Sequence, residues 1–127
     1  MERRLISGHS PFEVEAGFSR AVVIGETVHV AGTAPIARDG SPPPESAYEQ
    51  ARLCLAIIGE ALGRAGASLE DVVRTRIFVT DAAHWAEVSR AHGEVFRDVR
   101  PAATCVVTGL LDPRWKVEIE AEAVQPR

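Results

Sequence analysis

The chain has 127 residues, of which 46% are hydrophobic and 25% charged, and its formal net charge is −4 at pH 7. This balance predicts one globular domain over residues 1–127. There is no basic stripe for nucleic acid, no run of about 18 apolar residues for a membrane span and no apolar signal core at the N-terminus. We therefore expect a cytoplasmic protein that has no nucleic-acid or membrane partner.

The first third of the chain predicts strands. Residues 3–8 form a short strand candidate, and residues 9–17 read as a loop. Residues 18–24 and 27–32 are rich in β-branched side chains, and the Gly-Glu pair between them predicts the turn of a hairpin. A connector rich in Pro and Gly follows at residues 37–45.

The first helix is predicted from its cap and its apolar spacing. Ser46 and Glu49 stand three residues apart, as in a capping box. Apolar residues then recur at spacings of four, three, four and three, which places them on one helix face. They are Ala51, Leu55, Ile58, Leu62 and Ala65. Gly63 and Gly66 weaken the end of this helix.

The second half predicts a strand at residues 71–81 and a helix at residues 83–96. That helix has Trp85, Val88, His92 and Val95 on one face. Two strands around an Asp-Pro turn occupy residues 100–124. The resulting order, β-β-β-α-β-α-β-β, predicts an α+β fold in which two helices cover one face of a mixed sheet. The chain has only two predicted helices, so we expect a partner subunit to cover the other face of the sheet.

Charged residues alternate along two of these strands. Glu118, Glu120 and Glu122 share one face of the last strand, away from Val117, Ile119 and Ala121. Arg74 and Arg76 share a face with Phe78, with Val73, Thr75 and Ile77 on the other. If the two strands are neighbours, the arginines either neutralise the glutamates in cross-strand ion pairs, or Arg76 receives an anionic ligand.

Four segments together resemble the Rid family, also called the YjgF/YER057c/UK114 family. They are "RAVVIGETVHVAGTAP", "GASLEDVVRTRIFVTD", "RPAATCVV" and "VEIEAEAV", in the family's order. The resemblance implies a chorismate-mutase-like α+β fold and a homotrimer with clefts between subunits. It also implies hydrolysis of reactive enamines and imines, such as 2-aminoacrylate, to keto acids and ammonia. Older names in the family include endoribonuclease.

The chain departs from the family at the residues that hold substrate. Active deaminases have Pro-Ala-Arg-Ser, whose arginine binds the substrate carboxylate in a bidentate pair. Ala103 stands in place of that arginine, so the chain resembles a branch that lacks it. The family's Tyr, Gln and Asn correspond to Phe18, Thr33 and Ser89. The resemblance assigns the water-positioning glutamate to Glu120. The predicted lining of the cleft is Phe18, Thr33, Ser89, Ala103, Thr104, Cys105 and, as a replacement cation, Arg76.

Two further side chains have alternative interpretations. His92 lies on an apolar helix face, where it is either a satisfied core or interface residue or a catalyst paired with Glu94 or an acid from a neighbour. Cys105 is either a small buried hydrophobe or a nucleophile. Cys54 and Cys105 both lie in apolar segments, which favours reduced thiols, although the sequence does not exclude a disulfide.

No metal or nucleotide motif accompanies these residues. The four histidines form no pair at ligand spacing, and CxxC, GxGxxG and GxxxxGK[ST] are absent, so we expect no cofactor. The first function predicted is hydrolysis of a small enamine or imine in a pocket without the arginine. The alternative is a non-catalytic trimer that binds a small metabolite. The third is an endoribonuclease, against which the acidic balance argues.

Overall fold

The computed structural model describes residues 2–125. Six strands form one sheet, and two long helices pack against one of its faces. The strands are β1 (Arg3–Ile6), β2 (Ala21–Ile24), β3 (Thr27–Thr33), β4 (Val72–Val79), β5 (Ala102–Val107) and β6 (Val117–Val124). The helices are α1 (Phe12–Ala16), α2 (Ala47–Arg64) and α3 (Trp85–Phe96). The predicted α+β fold and the predicted order of the long elements are confirmed.

The spatial order of the sheet is β1-β2-β3-β6-β4-β5. Strands β4 and β5 are parallel, and every other neighbouring pair is antiparallel. The last strand of the chain therefore lies in the middle of the sheet, and β5 forms an edge. The predicted N-terminal hairpin gives the antiparallel β2–β3 pair, and α3 connects the parallel strands β4 and β5 as a crossover. The expectation that the last two strands form a second hairpin is wrong, because β4 lies between β5 and β6 in the sheet.

Helix α2 forms as its sequence pattern predicts. Ser46 Oγ accepts a hydrogen bond from the backbone N–H of Glu49 at 3.0 Å, which caps the first turn. The predicted apolar stripe is buried against the sheet: Ala51, Leu55, Ile58, Leu62 and Ala65 are each at most 3% exposed. Burial of this stripe, rather than helix propensity, supplies most of the stability of the helix.

Two sequence predictions about local structure are wrong. Residues 9–17 contain the short helix α1 rather than only a loop, and Gly17 ends it in the left-handed conformation at φ 79°. A helix of five residues is too short to show an apolar period. The second error concerns Val73, which is 47% exposed, whereas Val72 is 3% exposed. A shift of register between Val72 and Arg74 turns Val73 out of the core.

The two long helices leave the opposite face of the sheet uncovered. Along β6, Val117, Ile119, Ala121 and Ala123 are buried under the helices, and the three glutamates between them alternate onto the other side. None of the described helices is long and apolar enough to span a membrane. We call the uncovered side the open face; it carries the charged groups of β4 and β6.

Candidate functional site

Cross-strand ion pairs explain part of the acidic row on the open face. Arg76 is the register partner of Glu120 across β4 and β6. Its Nη1 lies 3.4 Å from Glu120 Oε1 and 3.0 Å from Glu122 Oε1. These contacts raise the pKa of Arg76, and the bond to Glu122 is their largest cause. The cross-strand ion pairs predicted from the sequence are therefore present, and they leave Arg76 without a free charge for an anionic ligand.

The other predicted cation, Arg74, reaches sideways to the edge strand. Its Nη2 donates a hydrogen bond to Thr104 Oγ1 at 2.8 Å. The register pairs Arg76 with Thr104 across β4 and β5, so Thr104 lies on the open face with the arginines. Thr104 is thus beside the charged groups, as a cleft residue on this face would be.

Glu118 is the carboxylate of the row that Arg76 does not contact. It is half-buried, and desolvation raises its pKa; the neighbouring charge of Arg20 opposes this rise, and Glu120 adds to it. Its carboxylate approaches the backbone closely, because a Cβ added at Gly32 would lie 2.5 Å from Glu118 Oε2. Only glycine leaves this space at position 32. A desolvated carboxylate with a raised pKa next to exposed backbone is typical of a functional acid or base.

Arg20 links this carboxylate to strand β3. Its Nη2 donates to Ala31 O at 2.8 Å, to Gly32 O at 2.9 Å and to Thr33 Oγ1 at 2.8 Å. Its Nε is buried and has no hydrogen-bond partner among residues 2–125. Burial lowers the pKa of Arg20, and the charges of Glu13 and Glu118 counteract that effect. Arg20 thus holds the irregular end of β3 beneath the Glu118 carboxylate.

Glu13 completes this charged cluster from the N-terminal side. It is 9% exposed, and both of its carboxylate oxygens accept hydrogen bonds from the N–H of Gly8, at 3.1 and 2.8 Å. The sequence analysis missed Glu13, Arg20 and Glu118 as a group. The signal was weak, because the three residues come from α1, the start of β2 and β6 and share no spacing. The only available sign was an arginine at the start of an otherwise apolar strand.

Two predicted residues lie beside this cluster. Phe18 is 46% exposed and precedes β2, close in sequence to Arg20. Thr33 is fully buried, and its hydroxyl donates to Ala31 O at 2.8 Å while it accepts from Arg20. Phe18 is therefore available to a ligand, whereas the hydroxyl of Thr33 serves the internal structure of β3.

The other predicted residues lie on the opposite side of the sheet. Ala103 and Cys105 are register partners of Thr75 and Ile77, both buried beneath the helices, so they share the helix-covered face at the β5 edge. Ser89 comes from α3, and its hydroxyl donates to Ala86 O at 3.1 Å. Within one chain, the carboxylates of Glu118 and Glu120 therefore lie on the other side of the sheet from these three residues.

His92 is accounted for by internal contacts. A 2.9 Å hydrogen bond joins its Nε2 to the hydroxyl of the buried Thr75, and its ring packs 4.7 Å from that of Phe96. Burial lowers its pKa. Glu94, the acid suggested as its partner, instead accepts hydrogen bonds from Tyr48 and Arg52. This arrangement is that of a satisfied core histidine.

The cysteines are free thiols with raised pKa values. Cys54 is buried and Cys105 is partly buried, and desolvation is the main cause of the shift at each. A raised pKa disfavours the thiolate that a nucleophile needs. Within residues 2–125, no group of three His, Cys, Asp or Glu residues is arranged to hold a metal ion.

The fold and the open face define an α+β protein of the YjgF-like class. The family model described as "Endoribonuclease L-PSP" matches residues 8–125. An uncharacterised protein of Streptomyces coelicolor is 40% identical over 122 residues, covering 95% of this chain and 90% of the relative. The chain therefore belongs to the Rid, or YjgF/YER057c/UK114, family.

Two solved structures are similar to this chain over nearly its whole length. A member of the YjgF/YER057c/UK114 family from Mycobacterium tuberculosis is 47% identical with a TM-score of 0.87, covering 97% of this chain and 99% of the other. Escherichia coli TdcF, solved with bound serine, is 26% identical with a TM-score of 0.81, covering 97% of this chain and 94% of the other.

Proposed function

We propose that this chain hydrolyses a small reactive enamine or imine in a cleft between the subunits of a homotrimer. The observation that carries the proposal is the desolvated Glu118 carboxylate against Gly32 on the open face. Family membership supplies the class of reaction, and the opposite-face placement of Glu118 and Ala103 favours a site shared by two subunits. The cytoplasm is the proposed location.

The proposed reaction needs one water and one proton carrier. The carboxylate of Glu118 accepts a proton from water as the water oxygen adds to the C=N carbon of an imine. The nitrogen gains a proton, and the resulting carbinolamine loses ammonia to give the carbonyl product. An enamine first gains a proton on carbon and loses one from nitrogen to become the imine. A carboxylate with a raised pKa suits both directions of transfer near neutral pH.

Glu118 and Glu120 are both candidates for the carboxylate that accepts a proton from water. The family resemblance assigns this role to Glu120, which lies on the same face two residues along β6. Arg76 already compensates the charge of Glu120, whereas no ion pair within 4.0 Å is formed by Glu118 among residues 2–125. We therefore place Glu118 first and retain Glu120 as the second candidate.

The missing arginine defines the substrate class. Ala103 provides no hydrogen-bond donor, and the charge of Arg76 is satisfied by two glutamates. The pocket thus favours a substrate that carries no carboxylate at the position of Ala103. We propose that the chain belongs to a branch of the family that lacks the arginine, with Phe18, Ser89, Thr104 and Cys105 as contacts of the substrate.

The test compares three carboxylates of one strand. An amino-acid oxidase generates imines from a panel of amino acids, a panel of non-carboxylate imines is added directly, and semicarbazide traps what remains. We expect Glu118→Gln to lose about 100-fold in hydrolysis, while Glu122→Gln, the matched control on the same face, keeps it. Loss of hydrolysis in Glu120→Gln alone would show that Glu120, rather than Glu118, is the proton acceptor. Full activity in all three variants would refute a carboxylate mechanism.

A gain of function tests the substrate class. Ala103 is exposed at the edge of the sheet, so an arginine side chain fits there without disturbing the core. We expect Ala103→Arg to accelerate hydrolysis of imines derived from amino acids, because a guanidinium binds a carboxylate in a bidentate pair. A folded variant with no gain would show that Phe18 or another cleft residue also excludes these substrates.

The second candidate function is binding of a small metabolite without catalysis. It is favoured by the bound serine in TdcF, together with the absence of an arginine at Ala103 in this chain. A ligand that raises the unfolding temperature and is recovered unchanged would support it. Endoribonuclease activity remains the third candidate. The net charge of −4 and the three glutamates on the open face repel an RNA backbone.

A further inference from the structure

The cluster of Glu13, Arg20 and Glu118 is not explained by packing alone. The two N–H groups of Arg20 Nη2 are shared among three acceptors, Ala31 O, Gly32 O and Thr33 Oγ1, while its buried Nε donates no hydrogen bond. An arginine that served only to fasten β3 would be expected to use this donor, because a buried unpaired N–H destabilises the folded state. The charges of two carboxylates, Glu13 and Glu118, raise the pKa of Arg20 and oppose the effect of its burial.

We propose that Arg20 is the positioning residue of the site, which fixes Glu118 against Gly32 and whose charge is divided between Glu118 and Glu13. This inference rests on the proposed function for its consequence in catalysis. Arg20 does not touch the reacting atoms. It acts through the segment Ala31–Gly32–Thr33, which it holds, and through its charge on the Glu118 carboxylate.

The close contacts around the cluster support a fixed geometry. A Cβ at Gly32 would lie 2.5 Å from Glu118 Oε2, and a Cβ at Gly8 would lie 2.6 Å from Glu13 Oε2 and 3.3 Å from the Arg20 side chain. Glycines at both places therefore let each of the two carboxylates approach the backbone closely. A cluster packed so closely to backbone leaves its charged groups few alternative positions.

The charges around Glu118 come from several elements. Arg20 and Glu120 act on it directly. Burial raises the pKa of Cys54 on α2, which keeps that thiol uncharged. Glu13 acts on Arg20. Removal of Arg20 therefore takes away a charge that favours ionised Glu118. Removal of the Glu13 charge leaves Arg20 more available to Glu118.

Removal of the Arg20 charge and removal of the Glu13 charge are expected to shift the pKa of Glu118 in opposite directions. This difference distinguishes an electrostatic role of Arg20 from a purely structural one. With Arg20→Gln, the pKa of Glu118 is expected to rise by about one unit, and with Glu13→Gln it is expected to fall. Arg20→Lys keeps the charge but not the three hydrogen bonds, so the pKa is expected to stay near the wild-type value. A structural loosening would instead admit water and lower the pKa in all three variants.

The experiment is a 13C NMR titration of the glutamate carboxyl carbons. The Glu118 signal is assigned by its loss in Glu118→Gln, and Arg52→Gln serves as the matched control because Arg52 is exposed and pairs with Glu94 between the two long helices. The rate of hydrolysis is measured over the same pH range. The midpoint on the acid side of this pH–rate profile should shift in the same direction as the Glu118 midpoint in the NMR titration. An unchanged Glu118 midpoint in Arg20→Gln, or a fall in both Arg20→Gln and Glu13→Gln, overturns the proposal.

The titration is independent of substrate. If wild-type protein hydrolyses no imine but the midpoints move in opposite directions, the proposed reaction fails and the role of Arg20 stands. If hydrolysis is found but the midpoints do not move, the reaction stands and the role of Arg20 fails. Should Arg20→Gln not fold, Arg20→Lys still decides the question, because a structural role lowers its Glu118 midpoint, whereas the proposed charge role leaves that midpoint near the wild-type value.

Discussion

The environment of Glu118 links the stability of the fold to the proposed chemistry. Its pKa is raised, mainly by desolvation, so the folded chain binds this proton more tightly than the unfolded chain does. Glu118 therefore contributes stability below its ordinary pKa of 4.5, and this contribution is lost as the pH rises through the pKa of the folded state. Ionisation of Glu118 therefore destabilises the fold.

Replacing Glu118 with Gln should remove that cost. We expect the variant to unfold about 2 °C above wild type at pH 7, with the difference shrinking as the pH falls toward 4.5. Thermal melts followed by circular dichroism over this range provide the measurement. Glu122→Gln is the control, because its carboxylate is held by Arg76 in an exposed pair. A lower unfolding temperature for Glu118→Gln at pH 7 would contradict the account.

Gly32 offers a second test at the scale of one residue. A methyl group there would meet the end of a flexible side chain, Glu118 Oε2, rather than backbone. We expect Gly32→Ala to fold with nearly unchanged stability but to lose most of the hydrolysis that Glu118→Gln loses, since the carboxylate must move. Gly63→Ala is the matched control, because a Cβ there meets nothing within 4 Å. In that helix it should stabilise the fold by about 0.5–1 kcal/mol.

At the scale of elements, the buried side-chain amide of Gln50 connects α2 to the turn that precedes β6. Gln50 is 1% exposed, and its Nε2 donates to Pro44 O at 2.8 Å and to Arg114 O at 3.0 Å. Its Oε1 accepts from the N–H of Lys116 at 2.7 Å. These bonds join the proline-rich connector, the helix and the turn that leads into β6, so Gln50 positions the strand that carries the glutamates.

Gln50→Ala should therefore destabilise the fold strongly. It leaves two carbonyls and one N–H without their partner, which costs about 3 kcal/mol of unfolding free energy. Urea denaturation at pH 7 gives the value, and a change under 1 kcal/mol would contradict the role. Glu49→Ala is the neighbouring control, because the side chain of Glu49 is exposed and its backbone N–H still reaches Ser46.

Sequence patterns predicted the elements that are long and amphipathic. The spacing from Ala51 to Ala65 gives α2, and the alternation from Val117 to Ala123 gives β6, because each pattern follows from burial of one face. Gln50 was not predicted, since one polar residue beside an apolar stripe gives no sign of its partners. The exposure of Val73 was missed because a bulge depends on the pairing of two strands, which one sequence does not show.

The candidate site was predictable only in part for a similar reason. The alternation of charges showed which residues share a strand face, and the family resemblance supplied the pairing of β4 with β6 that brings Arg76 opposite Glu120 and Glu122. The contact of Arg20 with residues 31–33 and the neighbouring charges of Glu13 and Glu118 depend on where distant segments meet in the fold. Sequence periodicity gives no information about contacts between distant segments, so this cluster is found only from the structure.

At the scale of the whole molecule, the distribution of the predicted residues over two faces requires an explanation. Glu118 lies on the open face, whereas Ala103 and Cys105 lie on the helix-covered face at the edge of the sheet. In the proposed homotrimer, three times the 13.7 kDa chain mass, the open face of one subunit meets the β5 edge of the next. Both sets of residues then reach the same cleft.

Mixing two inactive variants tests this shared cleft. Glu118→Gln removes the carboxylate, and Ala103→Trp fills the other side of the cleft at an exposed position. In a homotrimer unfolded and refolded from an equal mixture, one cleft in four combines an intact Glu118 with an intact Ala103. We expect recovery of about a quarter of the wild-type hydrolysis rate, with native mass spectrometry verifying mixed trimers. Mixed trimers without recovered activity would show that each site belongs to one chain, because no chain in the mixture is then intact.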